Sequence, residues 1–497
     1  MPANARAQPQ PRCRRLRQAG AAVLLMLFAA TSAASVDFAP CELRGSGGMG
    51  RVAAECGYLN VAENPDQPDG RRLELFVARV RALAAEPAAD AFTIINGGPG
   101  ASSVSLYVDL QGAFAGIQRD RDIIIVDQRG TGRSAPLECP ALEEVAQEFD
   151  LEAIRQATRN CLANLDRDPR FYTTRVAVDD LEALRQTLGY PAWNLYGVSY
   201  GTRVAQTYLQ RHPHGVRTLV LDGVVPPGQP LGPDVALNAQ KALDAIMARC
   251  AEGAACAAAF PELPAQFQRL AQQLKDTPLE LQLPHPVTGR VQPFTLGYSH
   301  LAMTVRILSY APETVALIPL IIDEAASMGN YLPIASQALR IERDLGESIS
   351  FGMHNSVVCS EDAPFYGDLT PLWPSLEASY LGADQVRALE AICSLWPRGL
   401  LDADHASPVA SARPVLLLSG EYDPVTPPEY ADRAAVSLGN SLHLVARGQG
   451  HGVVARGCLP LIVSDFVAAA SFDAIDTDCM DRLRSDSFFV DLLGPPP

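Results

Sequence analysis

Trp193 to Val198 is a β-rich run, Thr202 to Arg211 has a helical pattern, and Gly197-Val198-Ser199-Tyr200-Gly201 joins them. A strand that passes into a helix through one serine between two glycines must turn sharply. The serine takes a strained backbone conformation, and its small neighbours let strand and helix approach closely enough to permit it. Such a turn is a nucleophile elbow. It lifts the hydroxyl above the end of a sheet, and the positive end of the next helix points at that oxygen. The five residues alone would recur by chance in a chain with 37 glycines. Their strand-before, helix-after setting gives them weight and marks Ser199 as the candidate nucleophile.

The flanking sequence supplies more units of the same kind. Arg51 to Val61 and Arg71 to Ala82 alternate apolar and polar residues around Pro- and Gly-containing turns, which predicts a hairpin. Ala91 to Ile95 ends in Asn96-Gly97-Gly98-Pro99-Gly100. Ile123-Ile124-Ile125-Val126 suits a strand buried on both faces and ends in Asp127-Gln128-Arg129-Gly130-Thr131-Gly132-Arg133-Ser134. Val176 to Leu188 is helical in period, and Val216 to Val224 is another strand. Strands alternating with helices predict an α/β protein with a doubly wound, mostly parallel sheet.

That alternation stops near residue 225. Residues 229–411 read as mainly helical (Asp234 to Cys250, Leu263 to Lys275, His300 to Met328), with a hairpin near Leu279 to Leu296. Pro-rich joints bracket the stretch, which predicts a helical cap domain inserted into a core formed by 35–228 and 412–497. The α/β pattern resumes at Val415-Leu416-Leu417-Leu418, then a helix from Pro428 to Leu438 and a strand from Ser441 to Val445. The last helix is expected from about Leu459 to Ala470.

Residues 1–34 read as a secretory signal peptide: five arginines without an acid, an apolar run from Ala19 to Ala30, then small residues. The apolar run is too short to span a membrane, which takes about 20 residues. Removing this segment moves the formal charge from −16 to −21. That acidity argues against nucleic acid and anionic membrane surfaces as partners. Outside the signal, ten cysteines remain, an even number that suits disulfides in an exported chain. They fall as neighbouring couples, and sequential pairing is expected: Cys41 with Cys56, Cys139 with Cys161, Cys250 with Cys256, Cys359 with Cys393, Cys458 with Cys479. Without Cys-x-x-Cys or a compact Cys/His cluster a zinc site is not expected, and catalysis through an acyl-enzyme implies neither metal nor organic cofactor.

A serine hydroxyl becomes a useful nucleophile when a base takes its proton and an acid orients that base. Of eight histidines, His451 lies in the glycine-rich loop Arg447-Gly448-Gln449-Gly450-His451-Gly452 after the last core strand. For the acid, Asp423 and Asp222 both end sheet strands. Asp423 is favoured because it precedes His451 by one helix and one strand, whereas Asp222 is read as bonding the turn at Gly223. The oxyanion would be held by backbone N–H groups of Tyr200 and, in the first glycine loop, of Gly98 in preference to Gly97.

Together these stretches (Asn96 to Gly100, Asp127 to Ser134, Gly197 to Gly201, Gly420-Glu421-Tyr422-Asp423 and His451) resemble the prolyl aminopeptidase family of α/β-hydrolases. The exported length, the cysteine couples and the segment from Val415 to Cys479 are more similar to the secreted tripeptidyl aminopeptidase branch. The resemblance spans about residues 40–480 and is weakest in the cap. Asn96 stands where many relatives have histidine. The resemblance implies an exopeptidase that takes peptides with a free N-terminus and anchors their amine on cap carboxylates, here Glu361 or Asp362 in Cys359-Ser360-Glu361-Asp362. The expected activity is therefore that of an exported serine aminopeptidase. An esterase or lipase-like hydrolase on the same machinery is the first alternative, and an inactive binding module the second. Serine at position 199 excludes an aspartate-nucleophile dehalogenase or epoxide hydrolase.

Overall fold

A computed structural model describes residues 7–8, 35–45, 50–145, 150–473 and 475–495. The expected signal peptide falls outside the described residues except at positions 7 and 8. Eleven strands are described: β1 (Ala39–Arg44), β2 (Arg51–Ala62), β3 (Arg72–Val80), β4 (Ala91–Ile95), β5 (Ile123–Val126), β6 (Trp193–Val198), β7 (Val216–Asp222), β8 (Leu279–Pro284), β9 (Val291–Leu296), β10 (Val415–Gly420) and β11 (Ser441–Ala446). Nine of them form one sheet in the order β1-β2-β3-β5-β4-β6-β7-β10-β11. The first three run antiparallel, and β3 is antiparallel to β5. From β5 to β11 every neighbouring pair is parallel. Parallel neighbours need long crossovers, and helices supply them. β1 has no clear alternation in its sequence; Cys41 and Cys56 join it to β2.

Both faces of the sheet are covered. Ile124, Val126, Leu195, Leu219 and Leu417 share one buried cluster with helix α1 (Thr174–Leu188) and helix α2 (Tyr200–Arg211). Ile123, Ile125, Tyr196, Val220 and Leu416 belong to the cluster on the other face, with the helix Leu459–Ala469. The two-residue period of the strands thus divides the core, as the continuous apolar run in β5 required.

Between β7 and β10 the chain is helical apart from the β8–β9 hairpin, and much of it packs on a separate cluster that includes Leu243, Phe267, Leu301, Val305 and Ile322. The run from His300 to Met328 is three helices rather than one: α3 (Tyr298–Leu308), α4 (Pro312–Val315) and α5 (Ile318–Ala326). Pro312 and Pro319 begin new helices because proline has no N–H to continue an old one. The helix expected from Pro428 to Leu438 ends at Ala435. All ten cysteines pair sequentially, and the Cys359–Cys393 bridge ties the stretch carrying Glu361 and Asp362 to a neighbouring helix.

The loop after β5 is a structural brace. Arg129 is 1% exposed and forks onto Asp180 of α1 at 2.6 and 2.7 Å, while its other N–H groups donate to the carbonyls of Ala62, Glu63 and Phe171. Arg129→Met leaves the buried Asp180 carboxylate without its partner and should cost about 3–5 kcal/mol of stability. Arg129→Met combined with Asp180→Leu should recover most of that loss, because the unpaired charge is gone. Urea denaturation of both variants checks this; a single substitution costing as little as a surface change would mean that Arg129 holds nothing together.

Candidate active site

Ser199 stands between β6 and α2 with φ 56° and ψ −128°, a conformation that costs about 1–3 kcal/mol for a residue with a side chain. Its N–H donates to Asp222 O at 2.9 Å, which fixes the turn against the end of β7. A Cβ on Gly97 would lie 2.7 Å from Ser199 Cβ, and one on Gly201 would strike the Ile95 carbonyl. Only glycine lets the loop after β4 and the start of α2 close around the serine.

Asp423 and His451 arrive from β10 and β11. Asp423 is 4% exposed, and its Oδ1 accepts the N–H groups of Val425 and Thr426, both at 2.8 Å. Its Oδ2 accepts from Thr426 Oγ at 2.8 Å and from His451 Nδ1 at 2.8 Å. Because Nδ1 carries the proton toward Asp423, Nε2 of the neutral ring is left as an acceptor. The His451 N–H donates to Tyr310 O at 2.8 Å, and the Tyr310 ring packs edge-on with centroids 5.1 Å apart. Burial lowers the His451 pKa, but the charge and hydrogen bond of Asp423 outweigh it, so the net shift is upward from the ordinary histidine value.

Among the described residues no hydrogen bond joins Ser199 Oγ to His451; catalytic hydrogen bonds often form only once substrate is bound. Their proximity is set by the Asp222–Gly223 turn. Ser199 bonds to Asp222 O, and a Cβ on Gly223 would lie 3.0 Å from His451 Cε1. Asp222 itself accepts N–H groups of Val453 and Val454 at 2.9 Å and the Tyr196 hydroxyl at 2.9 Å. It therefore anchors the loop just past His451, a role spanning 231 residues of sequence that local turn chemistry could not suggest. Thr426 and Tyr310 also escaped the sequence. Only the Asp-x-x-Thr spacing after β10 hinted at Thr426, as a side chain–backbone turn.

In the glycine loop, Gly98 has φ 105°, and no acceptor for the Gly98 or Tyr200 N–H is found among the described residues. The Gly97 N–H, by contrast, is taken by Asn96 Oδ1 at 2.7 Å. The two free donors are those singled out from the sequence. Asp127 holds the far end of this loop by accepting from Ser102 Oγ at 2.7 Å and Val104 N at 3.1 Å.

Glu361 and Asp362 lie beside α2, buried. Glu361 accepts from Thr174 N and Oγ, each at 2.7 Å, and sits 3.6 Å from Arg203. Asp362 Oδ1 accepts from Arg203 Nη2 and Leu231 N, each at 2.8 Å, while Oδ2 has no partner among the described residues. Most of this carboxylate pair is thus committed to Arg203 and to the backbone. Burial also raises the Glu361 pKa.

Residues 90–276 match the family described as the alpha/beta hydrolase fold, and residues 378–479 match the TAP-like proteins. The chain has the α/β-hydrolase fold. The serine protease Hip1 of Mycobacterium tuberculosis is 25% identical over 89% of this hydrolase and 91% of its own length. Carboxylesterase B of the same species is 28% identical, covering 81% and 82%. A tripeptidyl aminopeptidase of Streptomyces lividans is 29% identical, but that match spans 35% of this chain and only 36% of the relative.

The upward shift at His451 has a definite consequence for pH. An imidazole accepts a proton only when neutral, so activity falls as pH drops through its pKa. The acid limb of kcat/KM should lie above the ordinary histidine value of about 6.5. Asp423→Asn removes the raising charge and leaves the burial, moving the limb to lower pH while the rate falls on the order of 10³–10⁴-fold. Asp222→Asn should cost far less in rate. A pH–rate profile with a wild-type limb at or below the ordinary value would contradict the Asp423–His451 coupling.

Proposed function

We propose that this hydrolase is an exported serine exopeptidase that removes N-terminal residues or short peptides through an acyl-enzyme. The observation that carries the reading is the Asp423–His451 pair beside a serine held at the N-terminus of a helix. Ser199 Oγ attacks the scissile carbonyl carbon while His451 Nε2 takes its proton. Charge moves onto the carbonyl oxygen, where the Tyr200 and Gly98 N–H groups stabilise it. As the tetrahedral species collapses, the C–N bond breaks and His451 returns the proton to the leaving amine. Water then attacks the acyl-serine with His451 again as base, releasing the acid and restoring Ser199. Asp423 holds the ring and offsets the charge of the imidazolium.

The names of the relatives support peptide cleavage, and the N-terminal segment with five disulfides supports action outside the cytosol. The segment between β7 and β10 then acts as a cap. Of the two carboxylates expected to hold the substrate's α-ammonium, Asp362 alone keeps an oxygen without a partner, so the anchor is assigned to Asp362 Oδ2 and Glu361 to bracing α2. The second reading, an esterase, is favoured by the long match to carboxylesterase B and by how much of that pair Arg203 already neutralises.

Ser199→Ala should lower turnover by on the order of 10³-fold or more with an unchanged thermal transition. Free-amine di- and tripeptide amides, their N-acetylated counterparts and short-chain esters, offered to the wild-type protein, separate the readings. Preference for free-amine peptides supports the exopeptidase. Equal cleavage of acetylated peptides, or of esters alone, replaces it with the esterase. Full activity in the Ser199→Ala protein removes the serine mechanism altogether.

A further inference from the structure

Arg306, near the end of α3, is partly buried; its side chain has no hydrogen bond or ion pair among the described residues, and its Nε is shut off from water. A guanidinium withdrawn from water normally has a carboxylate or a carbonyl beside it. Its place in the last turn of a helix suits the helix dipole, but that would be met equally well by a side chain in open solvent.

The position of Arg306 is specific. Tyr310 follows it by four residues along a chain that stays helical in conformation through Ser309, which brings both side chains to one side. Tyr310 is the residue whose ring and carbonyl hold His451. The charge of Arg306 acts on His451, on His354 and on the Tyr380 hydroxyl. His354 in turn lies with Nδ1 3.3 Å from the Pro99 carbonyl, in the loop that presents Gly98. Arg306 thus stands one helical turn before the residue that holds His451.

A second, independent feature lies there. Tyr380 is 5% exposed and its hydroxyl has no partner among the described residues, although its backbone carbonyl accepts the Tyr298 hydroxyl from the same α3. Two buried donors, Arg306 Nε and Tyr380 Oη, are thus left without acceptors among the described residues. Leaving such groups unmade is costly, and a ligand that supplies the acceptor removes the cost. The geometry points to a carboxylate on the substrate, bound by Arg306 with the Tyr380 hydroxyl, as a determinant of specificity. Such a carboxylate is either the C-terminus of a short peptide or an acidic side chain. The inference rests on the hydrolase reading of Ser199, not on the choice between peptide and ester.

The test is a ratio of kcat/KM, carboxylate-bearing over neutral, measured on three substrate pairs. These are a tetrapeptide and its C-terminal amide, a peptide amide with Glu and its Gln counterpart, and p-nitrophenyl hemisuccinate and butyrate. The wild-type ratio should favour the carboxylate by about tenfold in at least one pair and shrink as salt is added. Arg306→Gln should bring that ratio to about one, and Tyr380→Phe should lower it in part. Loss confined to the first pair assigns a terminal carboxylate; loss confined to the second assigns an acidic side chain. The ester pair reads Arg306 even if peptides are not cut. Calorimetric binding of the tetrapeptide and its amide to the Ser199→Ala protein, with and without Arg306→Gln, reads it without turnover. A wild-type protein with no preference in any pair and equal binding, or a preference that Arg306→Gln leaves unchanged, overturns the proposal.

Discussion

The left-handed backbone of Ser199 is the constraint around which the other parts are placed. A residue with a side chain holds φ 56° only when its surroundings leave no cheaper alternative. Here the Asp222 carbonyl takes its N–H, the loop after β4 closes on its Cβ, and α2 begins one residue later. The strain of about 1–3 kcal/mol is small against the burial of β6, an inner strand of the sheet, and of α2 packed on its face. In return Ser199 is held at the N-terminal, positive end of α2.

Two aspartates at the ends of neighbouring strands illustrate how partners, not residue type, set a role. Asp222 is fully enclosed and bonded to two backbone N–H groups beyond His451 and to the Tyr196 hydroxyl. Asp423 has the same number of backbone donors but gives one oxygen to the His451 ring. One acid places the histidine loop and the other faces the imidazole. Exchanging their partners would require moving a strand.

The segment between β7 and β10 is joined to the chemistry by short contacts as well as by its own apolar cluster. Ser350 N donates to Gly100 O at 3.0 Å and Gly352 N to Leu137 O at 2.8 Å, so its return stretch clasps the glycine loop. Arg203, in the first turn of α2, binds Asp362 and the Gln229 carbonyl, each at 2.8 Å, and so fastens both the beginning and the return of that segment to the elbow helix. Buried ion pairs contribute little net stability, but they fix relative position, because a misplaced charge would be left unpaired.

Much of this could be read from the residues. Periods of two and of about 3.6, broken by glycine and proline, marked most of the strands and the elbow, because those patterns follow from local geometry. Ser199, Asp423 and His451 were legible through their order and loop positions, and the cysteine couples through proximity in sequence. The breaks at Pro312 and Pro319 were legible too, had proline been weighed above the apolar periodicity. What no local rule could supply were the partners brought together by folding. Asp222 reaches Val453, Glu361 is taken by Thr174, and the Tyr310 carbonyl meets His451 across long separations in sequence. Which carboxylate is neutralised, and which arginine is left without one, depends on the three-dimensional neighbours of each charge, and these exist only in the folded chain.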